Sequence, residues 1–175
     1  MKFEIHGPFE IPRINGLIDN SAASKRKFWA TVGAQAPKLP DACGCYIFSV
    51  KAKRGALPWY VGRTTKRTFK GEALGAHQVN HYNHALGQKI GVKPQMFFLA
   101  KLTPSGRAAK PSGNSHADIE FLETFLSGVA LKRNPNLRNA KSTKFFKNLV
   151  VPGVINSPRR PPTSPERALK AAFGL

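Results

Sequence analysis

The stretch GCYIFSVKAKRGALPWYVGRTTKR, from Gly44 to Arg67, decides how this chain folds. Two short apolar bursts, CYIFSV and LPWYVG, are rich in aromatic and β-branched residues, which suit a pleated, half-buried surface. Each carries a tyrosine, Tyr46 in the first and Tyr60 in the second. The link between them, KAKRGA, is short and holds Gly55, so the two bursts read as an antiparallel hairpin. Pro58 sits at the start of the second strand, where a missing N–H is tolerated. That strand ends on Gly62, and Arg63, Thr64, Thr65, Lys66 and Arg67 follow at once. Glycine lets a ligand come close to the backbone. The cations beyond it offer contacts to an anion.

Outward from the hairpin the pattern is plainer. Residues 1–42 read as an N-terminal extension, with one or two short strands in FEIHGPFEI and a helix in SAASKRKFWATVG capped at Asn20 or Ser21. Downstream, HQVNHYNHAL is helical and is stopped by Gly87 and Gly91. PQMFFLAKL is a third strand, and TPSGRAAKPSGNS is a loop. HADIEFLETFLSGVAL is the clearest helix, with Ser115 as its cap and Asp118 in its first turn, where the helix dipole favours an anion. Residues 141–175 form a basic, proline-rich C-terminal arm ending in a helix that starts at Ser164-Pro165-Glu166. The order of the central region, 43–140, is β-β-α-β-α.

Charge narrows the partner. The 175 residues hold 28 Lys+Arg against 9 Asp+Glu, a formal net charge of +19. Such an excess repels itself in the compact state and serves a polyanion, nucleic acid first. No long apolar run points to a membrane. The N-terminus lacks the apolar core of a signal peptide, so the expected compartment is the cytoplasm. Cys43 and Cys45 read as two reduced structural thiols, and without a Cys-x-x-Cys pair a zinc ribbon has no support.

Among the residues able to do chemistry, Glu123 comes first. The helix carries an apolar stripe, Ile119, Leu122, Leu126 and Val129, and Glu123 lies on or beside it. A carboxylate there is paired, protonated or metal-bound, because burying it bare is costly. A rim residue paired with an arginine is the plain alternative. Tyr46 and Tyr60 are either packed aromatics or phenols that orient a water. His77, His81 and His84 follow one another on one helix face, either a solvated polar face or a set fit for proton transfer or phosphate contact, with Tyr82 beside them. As a zinc site they lack further ligands.

These pieces in this order resemble the GIY-YIG nuclease family. Gly44-Cys45-Tyr46 stands where the family has Gly-Ile-Tyr, and Tyr60-Val61-Gly62 where it has Tyr-Ile-Gly. The helix with Leu122-Glu123 is similar to the family's later helix, whose glutamate holds the metal. Asn134-Pro135-Asn136-Leu137-Arg138-Asn139 resembles the run that closes the domain. The resemblance implies an α+β fold in which a small three-stranded antiparallel sheet is flanked by helices, here with N- and C-terminal extensions. It implies hydrolysis of DNA phosphodiesters with Mg²⁺ or Mn²⁺ held by Glu123 and no small-molecule cofactor. Tyr46, Tyr60, Arg63, His77, His81 and Tyr82 become the expected catalytic group. Gly62, Lys66, Arg67, Lys70 and Asn139 become the expected contacts to DNA. The chain departs from the family where an arginine is usual after the second motif: the matching spacing gives Lys70 and Leu74. Arg63 is the substitute cation, and His77 with His81 or Tyr82 replaces the later pair. Two other readings fit the composition, an inactive nucleic-acid-binding module on the same fold and a basic RNA-associated protein.

Overall fold

The computed structural model describes residues 1–53, 55–87, 91–114, 116–139, 146–151 and 160–174. Two compact units divide the chain, Met1–Asn139 and Ala140–Leu175.

The first unit is built on an antiparallel sheet of four strands in the order β1-β6-β4-β5. The expected hairpin is its β4 (Gly44–Ala52) and β5 (Gly55–Thr64). Tyr46 lies opposite Gly62 and Phe48 opposite Tyr60. Between those pairs and Ser49 opposite Pro58 the register slips by one residue, so Pro58 stands beside a bulge rather than at the strand's start. An edge strand with a bulge is where proline is tolerated. The third strand, β6 (Lys93–Leu102), pairs with the other side of β4.

The expectation of three strands is corrected by β1 (Lys2–Glu10), which lies antiparallel to β6. Its register slips between His6 and Phe9, at Gly7-Pro8. An edge strand is held by its ladder more than by burial, and Ile5 here is 69% exposed. Its sequence therefore carries little of the alternation that marks a half-buried strand. A two-stranded ribbon follows, β2 (Arg13–Ile14) with β3 (Leu17–Ile18).

Helices cover both faces of the sheet. On one side α1 (Ala22–Gln35), α2 (Phe69–Glu72) and α3 (Ala76–Leu86) bury Phe28, Trp29, Val32, Phe69, Val79 and Leu86 against Tyr46, Phe48, Met96 and Phe98. Ser21 caps α1, accepting from the Ser24 amide at 3.2 Å. Gly87, at φ 51°, ends α3 in the left-handed conformation that glycine adopts without strain. On the other side α4 (Ala117–Arg133) packs Ile119, Leu122 and Leu126 on Cys45, Ile47 and Val61. Its buried line continues through Ser127 and Ala130, whereas Val129 is exposed, which corrects the expected stripe. At about 100° per residue Val129 is turned roughly 80° from Ile119, and Glu123 only about 40°. The residue before Ala117 is His116; the expected cap at Ser115 lies outside the described residues.

The second unit contains α5 (Ser164–Phe173). Its N-cap is Thr163, one residue earlier than expected, and Glu166 completes a capping box. Cys43 and Cys45 are free and buried, and burial pushes the Cys45 thiol up to about 12. Among the described residues no helix is long and apolar enough to cross a membrane.

Candidate active site at the edge of the sheet

Cross-strand neighbours point to one face, so the register puts Tyr46 and Tyr60 together. Their rings lie 6.2 Å apart and 29° from parallel. Gly62 makes this possible: a Cβ there would stand 2.5 Å from the Tyr46 hydroxyl. The second motif's glycine is thus required by the first motif's tyrosine. Burial pushes Tyr46 well above the ordinary phenol range, and Tyr60, Glu72 and Glu123 add to it. Tyr60 is raised by burial and then by Glu123, against a hydrogen bond from Tyr46 that lowers it. Both phenols therefore keep their protons near neutral pH.

Glu123 reaches the same edge from the opposite face. Its side chain is 17% exposed, and its Oε2 accepts from Arg63 Nη1 at 2.8 Å. A second Arg63 nitrogen lies 3.4 Å from Glu120. Burial raises the Glu123 carboxyl, partly offset by the Arg63 charge and hydrogen bond. Arg63 lies opposite Cys45 in the ladder, on the α4 side of the sheet rather than with the tyrosines. The site therefore straddles β5 at Gly62, with phenols on one face and an arginine–carboxylate pair on the other.

The loop after Gly62 explains its mixture of hydroxyls and cations. Thr64 Oγ1 donates to the Arg67 carbonyl, and Thr68 Oγ1 accepts from the Gly71 amide at 3.1 Å as the cap of α2. The threonines hold the turn, and Lys66, Arg67 and Lys70 stand exposed around it. Arg67 also lies 3.5 Å from Glu72.

The histidines divide. His77 is exposed and His81 half-buried, with their Nε2 atoms 3.3 Å apart. His81 stacks on Tyr60 at 5.4 Å. Burial lowers the His81 pKa, and the charges of His77, Arg138 and His84 lower it further. Tyr82 does not join them at the surface. It is fully buried, stacks on Phe48 at 4.2 Å and donates to the Ala73 carbonyl at 2.8 Å. Asn139 is likewise engaged in the interior: its Oδ1 accepts from the Val61 amide at 2.8 Å and its Nδ2 donates to the Val61 carbonyl. Asn134 donates to the Pro58 carbonyl at 2.8 Å, and the Arg138 amide to that of Trp59 at 2.9 Å. The run from Asn134 to Asn139 thus covers part of the exposed edge of β5.

Two residues not singled out in the sequence belong here. Glu72 acts on both phenols and accepts from Gln78 at 2.7 Å. An acid amid Lys66, Arg67 and Lys70 was its available signal. Arg138 acts on His81 from the covering run, and nothing local marks it. Surface hollows lie elsewhere, one by Leu17, Asn80 and His84 and another by Val50, Leu57 and Trp59.

Among the described residues no group of three His, Cys, Asp or Glu side chains could enclose a metal ion. Glu123 offers a single, partly desolvated carboxylate, bonded to Arg63, across β5 from the two phenols. That suits Mg²⁺, which keeps several waters and takes one or two carboxylates plus substrate phosphate. The donor set fits a shared site of that kind and not an all-protein cage. Against protein-family models, curated proteins and solved structures, the chain has no match.

Proposed function

We propose that this chain is a divalent-metal-dependent endonuclease of the GIY-YIG type, hydrolysing DNA phosphodiester bonds. The observation that carries the reading is the gathering about Gly62 of β5 of residues far apart in sequence, with Tyr46 and Tyr60 6.2 Å apart on one face and Arg63 bonded to Glu123 at 2.8 Å on the other. The motifs Gly44-Cys45-Tyr46 and Tyr60-Val61-Gly62, which resemble those of the family, supply the phenols and the gap between them. The charge of +19 supplies the affinity for a polyanion.

In this reading Tyr46 and Tyr60 act first as protonated phenols that orient the attacking water. Burial first, and the charges of Glu72 and Glu123 after it, oppose their ionisation. Arg63 balances charge on the phosphate as it develops, a role in which a preplaced cation is worth several kcal/mol. His81, held largely neutral, takes or returns a proton on the tyrosine side, and His77 shares its hydrogen bond. Glu123 would hold the divalent ion, which supplies Lewis-acid stabilisation of phosphate charge. Lys66, Arg67 and Lys70 bind the flanking backbone.

A second reading, an inactive nucleic-acid-binding module, is favoured by the 2.8 Å contact that keeps Arg63 on the proposed metal-holding oxygen. Plasmid nicking with and without Mg²⁺ or Mn²⁺ separates the two. The expected result is metal-dependent nicking that Glu123→Gln abolishes while DNA binding is kept or slightly tightened. Binding without any metal-dependent nicking by the unaltered chain would establish the second reading instead.

A further inference from the structure

Two imidazoles on α3 meet nitrogen to nitrogen. His77 and His81 are four residues apart, about one helical turn, so their rings leave the same side of α3. Their Nε2 atoms lie 3.3 Å apart, and the rings stand at 89° to each other. Neither Nε2 bonds to anything else among the described residues. His77 is exposed and His81 half-buried, so water and ions reach the pair.

The spacing of the two nitrogens selects a ligand. Imidazole binds zinc at about 2.0–2.1 Å, and two imidazole nitrogens on a tetrahedral ion then stand about 3.3–3.4 Å apart. That is the separation present here. Octahedral coordination at the same bond length needs about 2.9 Å, and Mg²⁺ takes oxygen rather than imidazole. An ion at this place displaces one hydrogen bond, the one between the rings. The proton of that bond passes to Nδ1 of its own ring, so two neutral imidazoles bind with no proton released. No third His, Cys, Asp or Glu side chain joins the pair among the described residues. The arrangement is therefore an open one, two imidazoles and water, unlike the closed set of a structural zinc centre.

We propose that His77 and His81 form a two-imidazole site for Zn²⁺, separate from the Mg²⁺ or Mn²⁺ site proposed at Glu123. The donors differ in kind: nitrogens on the side of Tyr60, which His81 stacks on at 5.4 Å, against a carboxylate oxygen on the opposite face of β5. The zinc site does not rest on the endonuclease reading. Within that reading the ion takes the lone pair by which His81 handles a proton, so zinc acts there as an inhibitor.

Zinc titration of the full chain, stripped of metal by a chelator and of nucleic acid by high salt, tests the site, with a chromophoric zinc chelator as competitor. The unaltered protein should take up one Zn²⁺ per chain, and excess Mg²⁺ should not displace it. His77→Ala and His81→Ala should each weaken uptake by at least about tenfold, the smallest loss that follows when a group supporting a ligand is removed. Alanine is the best helix former, so both variants keep α3. His84, on the same helix, lines a hollow with Leu17 and Asn80. His84→Ala should bind zinc as the unaltered chain does. Zinc held no more tightly by the unaltered chain than by a chain lacking both His77 and His81 overturns the proposal. So does an equal loss in His84→Ala, or displacement by Mg²⁺. Nicking enters none of these readouts, so a chain that binds zinc at this pair and cuts no DNA ends the endonuclease reading and leaves the zinc site standing.

Discussion

At Gly62 a single missing side chain holds the site open. Gly62→Ala forces its Cβ into the Tyr46 ring, which is itself buried. Overpacking of this kind costs about 1–3 kcal/mol, and a denaturant titration should show that loss with an unchanged slope. Nicking should fall with it, because the displaced ring is the one proposed to orient water. Asp118 offers a cleaner electrostatic test. Burial pushes its carboxyl up, but the Lys101 hydrogen bond, the Ile119 amide and the Lys101 charge outweigh it, so its pKa falls below 3.8. Lys101 Nζ stands 2.8 Å from it. A depressed folded-state pKa means stability that is fully present above the unfolded value and lost as pH falls through the folded one. Asp118→Asn should therefore cost roughly 1.5–3 kcal/mol at neutral pH, the range for a hydrogen bond to a charged group. The gap to the unaltered protein should close below pH 3.8, read by unfolding titrations across that range.

Among the elements, β5 depends most on others. It is an edge strand, and its outer backbone is covered by Asn134–Asn139 rather than by another strand. Asn139→Ala strips the Val61 amide and carbonyl of their side-chain partner in the interior. Each buried group left without a partner costs about 1–3 kcal/mol, so the loss of two should destabilise the unit by roughly 2–6 kcal/mol. Hydrogen exchange should locate the loss at Val61. A loss of DNA affinity with unchanged stability would instead return Asn139 to the DNA-binding role that the family resemblance implies. α4 is positioned by different forces on its two ends and its inner face. The dipole favours acids first and bases last, Ile119 and Ala130 anchor it, and Arg63 ties its middle to β5.

For the whole molecule, charge sets the balance between the two units' tasks. Beyond Asn148 the C-terminal unit holds Arg159, Arg160, Arg167 and Lys170 against Glu166. Arg160 is partly engaged already, bonded to Glu166 at 3.0 Å. A chain ending at Asn148 should bind every DNA sequence more weakly. The magnitude of the slope of log K against log salt should drop by about 0.9 for each phosphate that the shortened chain no longer neutralises. Salt titrations of the two chains check this; coincident slopes would assign the unit to another task than DNA.

What was legible in the sequence was local. The β4–β5 hairpin follows from two aromatic, β-branched runs around a short glycine link, and the ends of α1 and α3 from Ser21 and Gly87, because these choices concern neighbours in the chain. Glu123 was marked by its phase against Ile119, since helical periodicity is also local. A strand in FEIHGPFEI was legible, but not that it joins the sheet as a fourth strand, because that pairing is made with the backbone of β6, nearly a hundred residues away. Nor was the division of the site residues. Tyr82 goes to the core, Asn139 to the Val61 backbone and Arg63 to the opposite face from the tyrosines. Sequence sets which side chains can carry charge or protons. Strand register and helix docking set which of them meet, since a side chain's face depends on pairing that the local chain does not encode.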